Sequence, residues 1–413
     1  MKQNFDVKGG PQIGRENLPK LRAEMEKLGL DGFYVPHEDE YQNEYLPDAN
    51  ERLMWMSGFS GSFGSAMVLS DRAALFIDGR YTIQAADQTD PDLFERVAVP
   101  DPGPFGWLAQ QTLTGQTLGY DPRLMTPNDV ALFNTAATSA GASIKAVDQN
   151  PVDLAWTDRP EQRRFPIEAH ALAYSGQDAA EKRARIASIL ADQGADAVII
   201  TSPASLAWLF NIRGGDVACS PLPLGRAILR NDGSATLLID PAKESPELRE
   251  HLGNQVTLTD IQNLDEELSA LAGQTVSLDP ALASAWFFQQ LEQAGATILR
   301  QQDPVLLPKA CKNATELAGT AAAHRRDGAA VTRFLHWLDT EAQSGEVTEI
   351  DAALKLLDFR TADATMQDMS FETISGAGPN GALPHYRVSS ASNLKLARGT
   401  LYLVDSGGQY PDG

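Results

Sequence analysis

Apolar positions along this chain alternate between a helical and a strand period, and the alternation comes round twice. Between Asn17 and Leu28, the residues Leu18, Leu21, Met25 and Leu28 fall at helical spacing. Gly29 stops that run, and DGFYVP (31–36) reads as a buried strand. From Ala180 the order returns. AEKRARIASILADQGADAVIITS gives an amphipathic helix with Ile186, Ile189 and Leu190 on one face, a stop at Gly194, and the strand AVIITS.

The elements that follow also repeat. ERLMWMSGFSGS comes after the first unit and ASLAWLFNIRGGD after the second, each an aromatic-apolar stretch running into a glycine-containing loop. Two hairpin-like pairs come next, SAMVLSDRAALFIDG and RAILRNDGSATLLID, closed by Asp78 and Asp240. The second turns on Asn231-Asp232-Gly233, a strong turn signal. Corresponding landmarks lie about 150 to 165 residues apart. Four elements in one order predict two related α/β domains, over 12–160 and 165–305, with the Pro- and charge-rich WTDRPEQRRFP as linker.

A third region starts near Pro308 and runs to 413. NATELAGTAAAHRRDGAAVTRFLHWLDTEA predicts a long helix capped by Asn313 or Thr315, with Glu316 in its first turn. TEIDAALKLLDFRTAD predicts a second helix with Thr348 and Asp351 as a capping-box variant. Two or three strands are expected, the last a buried apolar run, Leu401 to Val404, ending at Asp405. That is few elements to close a core around so apolar a strand.

Composition narrows the function. A net charge of −21 repels nucleic-acid backbones and anionic membranes, so neither is an expected partner. Cys219 and Cys311 form neither a disulfide framework nor a CxxC metal site. The first residues lack the apolar core of a signal peptide, and no run of about 18 apolar residues is present, which predicts a cytoplasmic protein.

Three residues stand out as candidate chemistry. Asp405 leaves an apolar strand into a Ser-Gly-Gly turn. It is either a turn residue bonding neighbouring backbone, or a rigidly held oxygen ligand for a divalent cation. Asp412, the other nearby carboxylate, sits on what reads as a floppy terminus. His385, in GPNGALPHYR, is either a structural loop residue or a bond to a substrate carbonyl or its oxyanion. Arg80, in FIDGRYTIQAA, either pairs with Asp78 or offers its planar fork to a peptide carbonyl or carboxylate. His324 and His336 fit surface or packing roles, and His37 has acidic neighbours without metal-ligand spacing. SGFSGSFGS lacks the Gly-Lys-Ser/Thr ending of a phosphate loop and reads as a tight loop between strands.

Four separated strings, SGFSGSFGSAMVLSDRAALFIDGRYTIQAADQTD, ASLAWLFNIRGGDVACSPLPLGRAIL, SFETISGAGPNGALPHYRV and LYLVDSGGQYPDG, resemble the long, three-domain form of Xaa-Pro aminopeptidase. The resemblance implies an α/β chain of two tandem creatinase-like N-terminal domains, followed by the start of a pita-bread (α+β) metallopeptidase domain over 308–413. It implies hydrolysis of the N-terminal Xaa-Pro bond of peptides with proline second, two divalent metal ions, typically manganese, and a homodimer. By position, Asp405 matches a metal ligand, His385 a histidine that bonds substrate near the metals, and Arg80 a substrate contact from the first domain. The family's second Asp ligand would follow Asp405 by eleven residues, and its ligand His and two Glu would lie further on. The chain is therefore expected to be cut inside its metal motif, to hold no metal pair by itself and to cleave nothing alone. Two rivals remain. One is a catalytically dead, peptidase-like protein-binding module, against which the retention of Asp405, His385 and Arg80 argues. The other is a metal-free amidinohydrolase of the creatinase type, against which the duplicated domain argues.

Overall fold

The computed structural model describes residues 3–413. Its first sheet has β1 (Gly32–Pro36) at the centre, antiparallel to β2 (Ser65–Leu69), which is antiparallel to β3 (Ala73–Ile77). A fourth strand, β4 (Phe94–Ala98), lies parallel to β3, while β5 (Thr117–Tyr120) and β6 (Ser143–Ala146) continue the sheet in parallel beyond β1. The second sheet is built from β7 (Ala197–Ile200), β8 (Arg226–Arg230), β9 (Ala235–Ile239), β10 (Val256–Asp260), β11 (Thr275–Leu278) and β12 (Thr297–Arg300). The orders are β4-β3-β2-β1-β5-β6 and β10-β9-β8-β7-β11-β12, with the same parallel and antiparallel pairings throughout. The repetition read in four elements thus extends to all six strands.

Central strands buried on both faces explain the continuous apolar runs. Phe33 and Val35 of β1 pack with Leu18, Leu21 and Met25 of the helix Pro11–Lys27, while Tyr34 between them packs with Trp107 and Phe133 on the other side. In the second unit, Val198 and Ile200 of β7 meet Ile186 and Leu190, and Ala197 and Ile199 meet Trp286 and Phe287. The Asn231-Asp232-Gly233 turn closes as expected, with Gly233 at φ +86° and its N–H donating to the Arg230 carbonyl.

Two local expectations shift. The first helix begins at Pro11 rather than Asn17, because proline suits the first helical turn, where its missing N–H has no partner to lose. The glycine-rich SGFSGSFGS lies between a helix, Arg52–Ser57, and β2, not between two strands. Gly58 ends that helix at φ +82°, and a Cβ there would stand 2.1 Å from the Gly10 carbonyl oxygen.

The two sheet domains dock through backbone and cation–π contacts. The Ala285 N–H donates to the Met125 carbonyl at 2.7 Å, and the guanidiniums of Arg123 and Arg226 lie 3.9 and 3.6 Å from the ring centres of Trp286 and Tyr41. Residues 156–166 carry neither helix nor strand.

In the third region, full capping boxes at Asn313/Glu316 and Thr348/Asp351 open the helices Ala314–Thr340 and Glu349–Thr361. Phe334 and Trp337 of the first pack on Ala352 and Leu356 of the second. Four short strands are present rather than two or three, including β13 (Ile374–Ala377) paired antiparallel with β14 (Tyr402–Asp405). The apolar run expected to be buried is only half covered. Leu401 is exposed and Tyr402 to Val404 are partly so, since β14 has a single partner strand and one open side. Asp412, expected on a floppy segment, is held. It pairs with Arg326, while the neighbouring Tyr410 is buried and donates its O–H to Asp327 at 3.0 Å. The start of the described chain is tied to this region as well, by hydrogen bonds between Gln3 and Thr373 in both directions.

Candidate active site

Asp78 follows β3 directly, and the chain turns there, the Tyr81 N–H donating to the Asp78 carbonyl at 3.1 Å. The turn throws Arg80 outward and Tyr81 inward. Arg80 donates from Nε and Nη2 to the Asp78 carboxylate at 3.0 and 2.6 Å, and its backbone N–H does so at 2.9 Å. Those bonds hold the Asp78 carboxyl below the usual carboxylate range and raise Arg80 in turn. The Asp78 pairing weighed in the sequence is therefore present, yet Nη1 makes no bond among the described residues, and the side chain stays 39% exposed.

Tyr81 is buried, edge-on to Phe59, and its hydroxyl lies 2.9 Å from Nδ1 of His385. The rings of Tyr81 and His385 meet edge to face at 5.4 Å. The structure thus brings the turn bearing Arg80 onto the loop bearing His385. Only glycine fits at position 61, where a Cβ would stand 2.3 Å from the Phe59 ring and 2.8 Å from the Tyr81 ring.

The His385 loop is organised by Glu349, a fully buried carboxylate at the start of the helix Glu349–Thr361. It accepts from the Ala377 and Leu394 backbone N–H groups at 2.6 and 2.9 Å, from Asn380 at 3.0 Å and from the Tyr386 hydroxyl at 3.0 Å. Tyr386 is pushed up by burial and, after it, by the Glu349 charge. One carboxylate therefore pins the chain on both sides of His385.

Asp405 stands at the end of β14, opposite Ile374, and is exposed. It makes no hydrogen bond to Arg80 or His385 among the described residues. The phenol of the exposed Tyr45 is raised chiefly by burial and, after it, by the charges of Glu44 and Asp405 among its neighbours. Cys219, from the second domain, is pushed up to about 11 by burial and by Asp368 and Glu372, so its thiol stays protonated and is no nucleophile. His37 is buried and bonds the Glu44 carbonyl through Nε2, and His324 bonds Thr320 on an exposed helix face. Among the described residues no three His, Cys, Asp or Glu side chains converge in metal-binding geometry. The residues present do not by themselves hold a metal pair, and Asp405 stands as a single oxygen donor.

Tyr81 and Glu349 were not singled out from the sequence. Tyr81 adjoins Arg80 in DGRY, which was the available signal, whereas Glu349 reads as an ordinary first-turn acid.

A six-stranded sheet unit covered on both faces and occurring twice, ahead of a region carrying His385 and Asp405, defines the class. Residues 18–152 and 158–316 each match the Creatinase/Prolidase N-terminal domain, and residues 318–413 match metallopeptidase family M24. The X-prolyl aminopeptidase from Caenorhabditis elegans, a cytosolic enzyme with a di-nuclear active site, superposes with a TM-score of 0.90 at 29% identity, over 97% of this chain and 68% of its own. A protein of Aspergillus niger named "Probable Xaa-Pro aminopeptidase P" is 34% identical over 412 residues, covering 96% of this chain and 67% of its own length. Its namesake in Coccidioides posadasii is 34% identical over 411 residues, with 96% and 63% covered. The chain belongs to the Xaa-Pro aminopeptidase P family, and it spans about two thirds of the length of these relatives.

Proposed function

We propose that this chain forms the substrate-binding side of a metal-dependent aminopeptidase that hydrolyses the N-terminal Xaa-Pro bond of peptides. The observation that carries the reading is the contact of Tyr81 with His385, 304 residues apart, which sets Arg80 of the first domain beside the His385 loop of the third region. In this reading the free Nη1 edge of Arg80 donates to a substrate oxygen while Asp78 keeps the guanidinium oriented. His385 bonds the substrate, and Asp405 is one carboxylate ligand of a pair of divalent ions, manganese by preference. We take 12–160, 165–305 and 308–413 as the domain bounds, a cytoplasmic location, and a homodimer as the working assembly.

The test joins this chain to the last third of the Aspergillus niger relative and assays a Xaa-Pro peptide with manganese, beside the 413-residue chain alone. Cleavage by the joined protein, none by the chain alone and none of a Xaa-Ala control are the expected results. Turnover by the chain alone overturns the assignment of Asp405 as an isolated ligand. A folded but inert joined protein that still binds peptides favours a binding module.

A further inference from the structure

The hydrogen-bond chain behind His385 has a direction. Glu44 is exposed, and a carboxylate only accepts. The Ser62 hydroxyl donates to Glu44 Oε1 at 3.3 Å, which spends its one proton. Ser62 Oγ lies 2.9 Å from the Tyr81 hydroxyl, so in that pair Tyr81 is the donor. With the phenolic proton directed at Ser62, the Tyr81 oxygen faces His385 Nδ1 at 2.9 Å as an acceptor. The partner it requires is an N–H.

We propose that Glu44, Ser62 and Tyr81 are positioning residues that fix His385 in the tautomer carrying its proton on Nδ1, leaving Nε2 as a hydrogen-bond acceptor. The proposal rests on the reading of His385 as a substrate contact and refines it. A neutral imidazole of this tautomer offers Nε2 a lone pair and no proton. The substrate group it receives is therefore an N–H donor, an amine or a peptide amide, and not a carbonyl or an oxyanion. The relay originates wholly in the first domain and acts on a loop of the third region, which ties the ring's chemistry to the docking of the two. The local geometry supports a fixed ring. Tyr81 is held between Phe59 and His385, and Gly61 leaves its ring no room to swing.

The experiment labels the chain with 15N-histidine and reads ring-nitrogen shifts above the ordinary histidine titration range, with His385→Gln identifying the signals of residue 385. It needs no metal and no turnover, so its failure is separable from failure of the peptidase reading. The expected result is the Nδ1–H form in the unaltered chain. In Ser62→Ala the Tyr81 O–H is free to turn to Nδ1, and the population moves to Nε2–H. Glu44→Ala, on an exposed side chain, moves it in the same direction should Ser62→Ala fail to fold. An unaltered chain with less than half of residue 385 in the Nδ1–H form overturns the proposal, and so does a folded variant that keeps the original tautomer.

Discussion

The guanidinium of Arg80 and the carboxylate of Asp78 form a two-point pair, Nη2 to Oδ2 at 2.6 Å, within a three-residue turn at the end of β3. The pair leaves Nη1 free, so orientation and recognition are divided between the two faces of one planar group. In the protein joined to the last third of the Aspergillus niger relative, Arg80→Ala is expected to lower kcat/KM about 10- to 100-fold, the worth of one charge-assisted hydrogen bond. Bound manganese is expected to stay unchanged. Arg80→Lys recovers little, because an ammonium cannot hold Asp78 in two-point geometry and present a second edge. Loss of metal in Arg80→Ala would instead make the residue structural.

Glu349 supports a prediction on stability. Its removal strands the buried Ala377 N–H and the partly buried Leu394 N–H and takes one acceptor from the Asn380 amide and the Tyr386 hydroxyl, which keep Ser392 as another. Glu349→Ala is expected to cost about 3 kcal/mol or more, since each stranded buried group costs roughly 1–3 kcal/mol. Urea unfolding of the third region measures this. Glu349→Gln retains an acceptor oxygen and is expected to lose less.

At Gly61 the backbone is unstrained but the space is absent. Gly61→Ala places a methyl against the Phe59 and Tyr81 rings at 2.3 and 2.8 Å, so one ring must move. Overpacking of this kind costs about 1–3 kcal/mol. The displacement is expected to break the Tyr81–His385 bond, which the nitrogen shifts of residue 385 register even where the melting temperature barely moves.

Local physics made the scaffold readable. β1, β2, β7 and β8 are covered on both faces, so they had to be written as apolar runs, and the caps at Asn313 and Thr348 reach only three residues ahead. The exposure of β14 was not readable, because an apolar run records no count of its neighbours. Nor was the place of Tyr81 or Glu349. Tyr81 acts on a ring 304 residues away, and the partners of Glu349 are scattered from 377 to 394, beyond the reach of any local pattern. Arg80 and His385 were visible as chemistry, but only the fold puts them together.

A last prediction concerns acid stability, and its seat is His170 in the second domain, whose backbone N–H donates to the Asn211 carbonyl at 2.7 Å. Burial chiefly, then the cations of Arg213 and Lys182, lower His170 from its ordinary 6.5 to about 4. The unfolded chain therefore takes up a proton in that interval while the native one does not, and stability must fall as pH drops from 6.5 toward 4. With the half-exposed ring partly screened by solvent, the loss is on the order of 1–2 kcal/mol. Below the native value both states are protonated, and this contribution levels off. His170→Gln removes the titration, so its urea midpoint is expected to decline less steeply across the same interval. Equal slopes for the variant and the unaltered chain would place the acid sensitivity elsewhere, among the carboxylates.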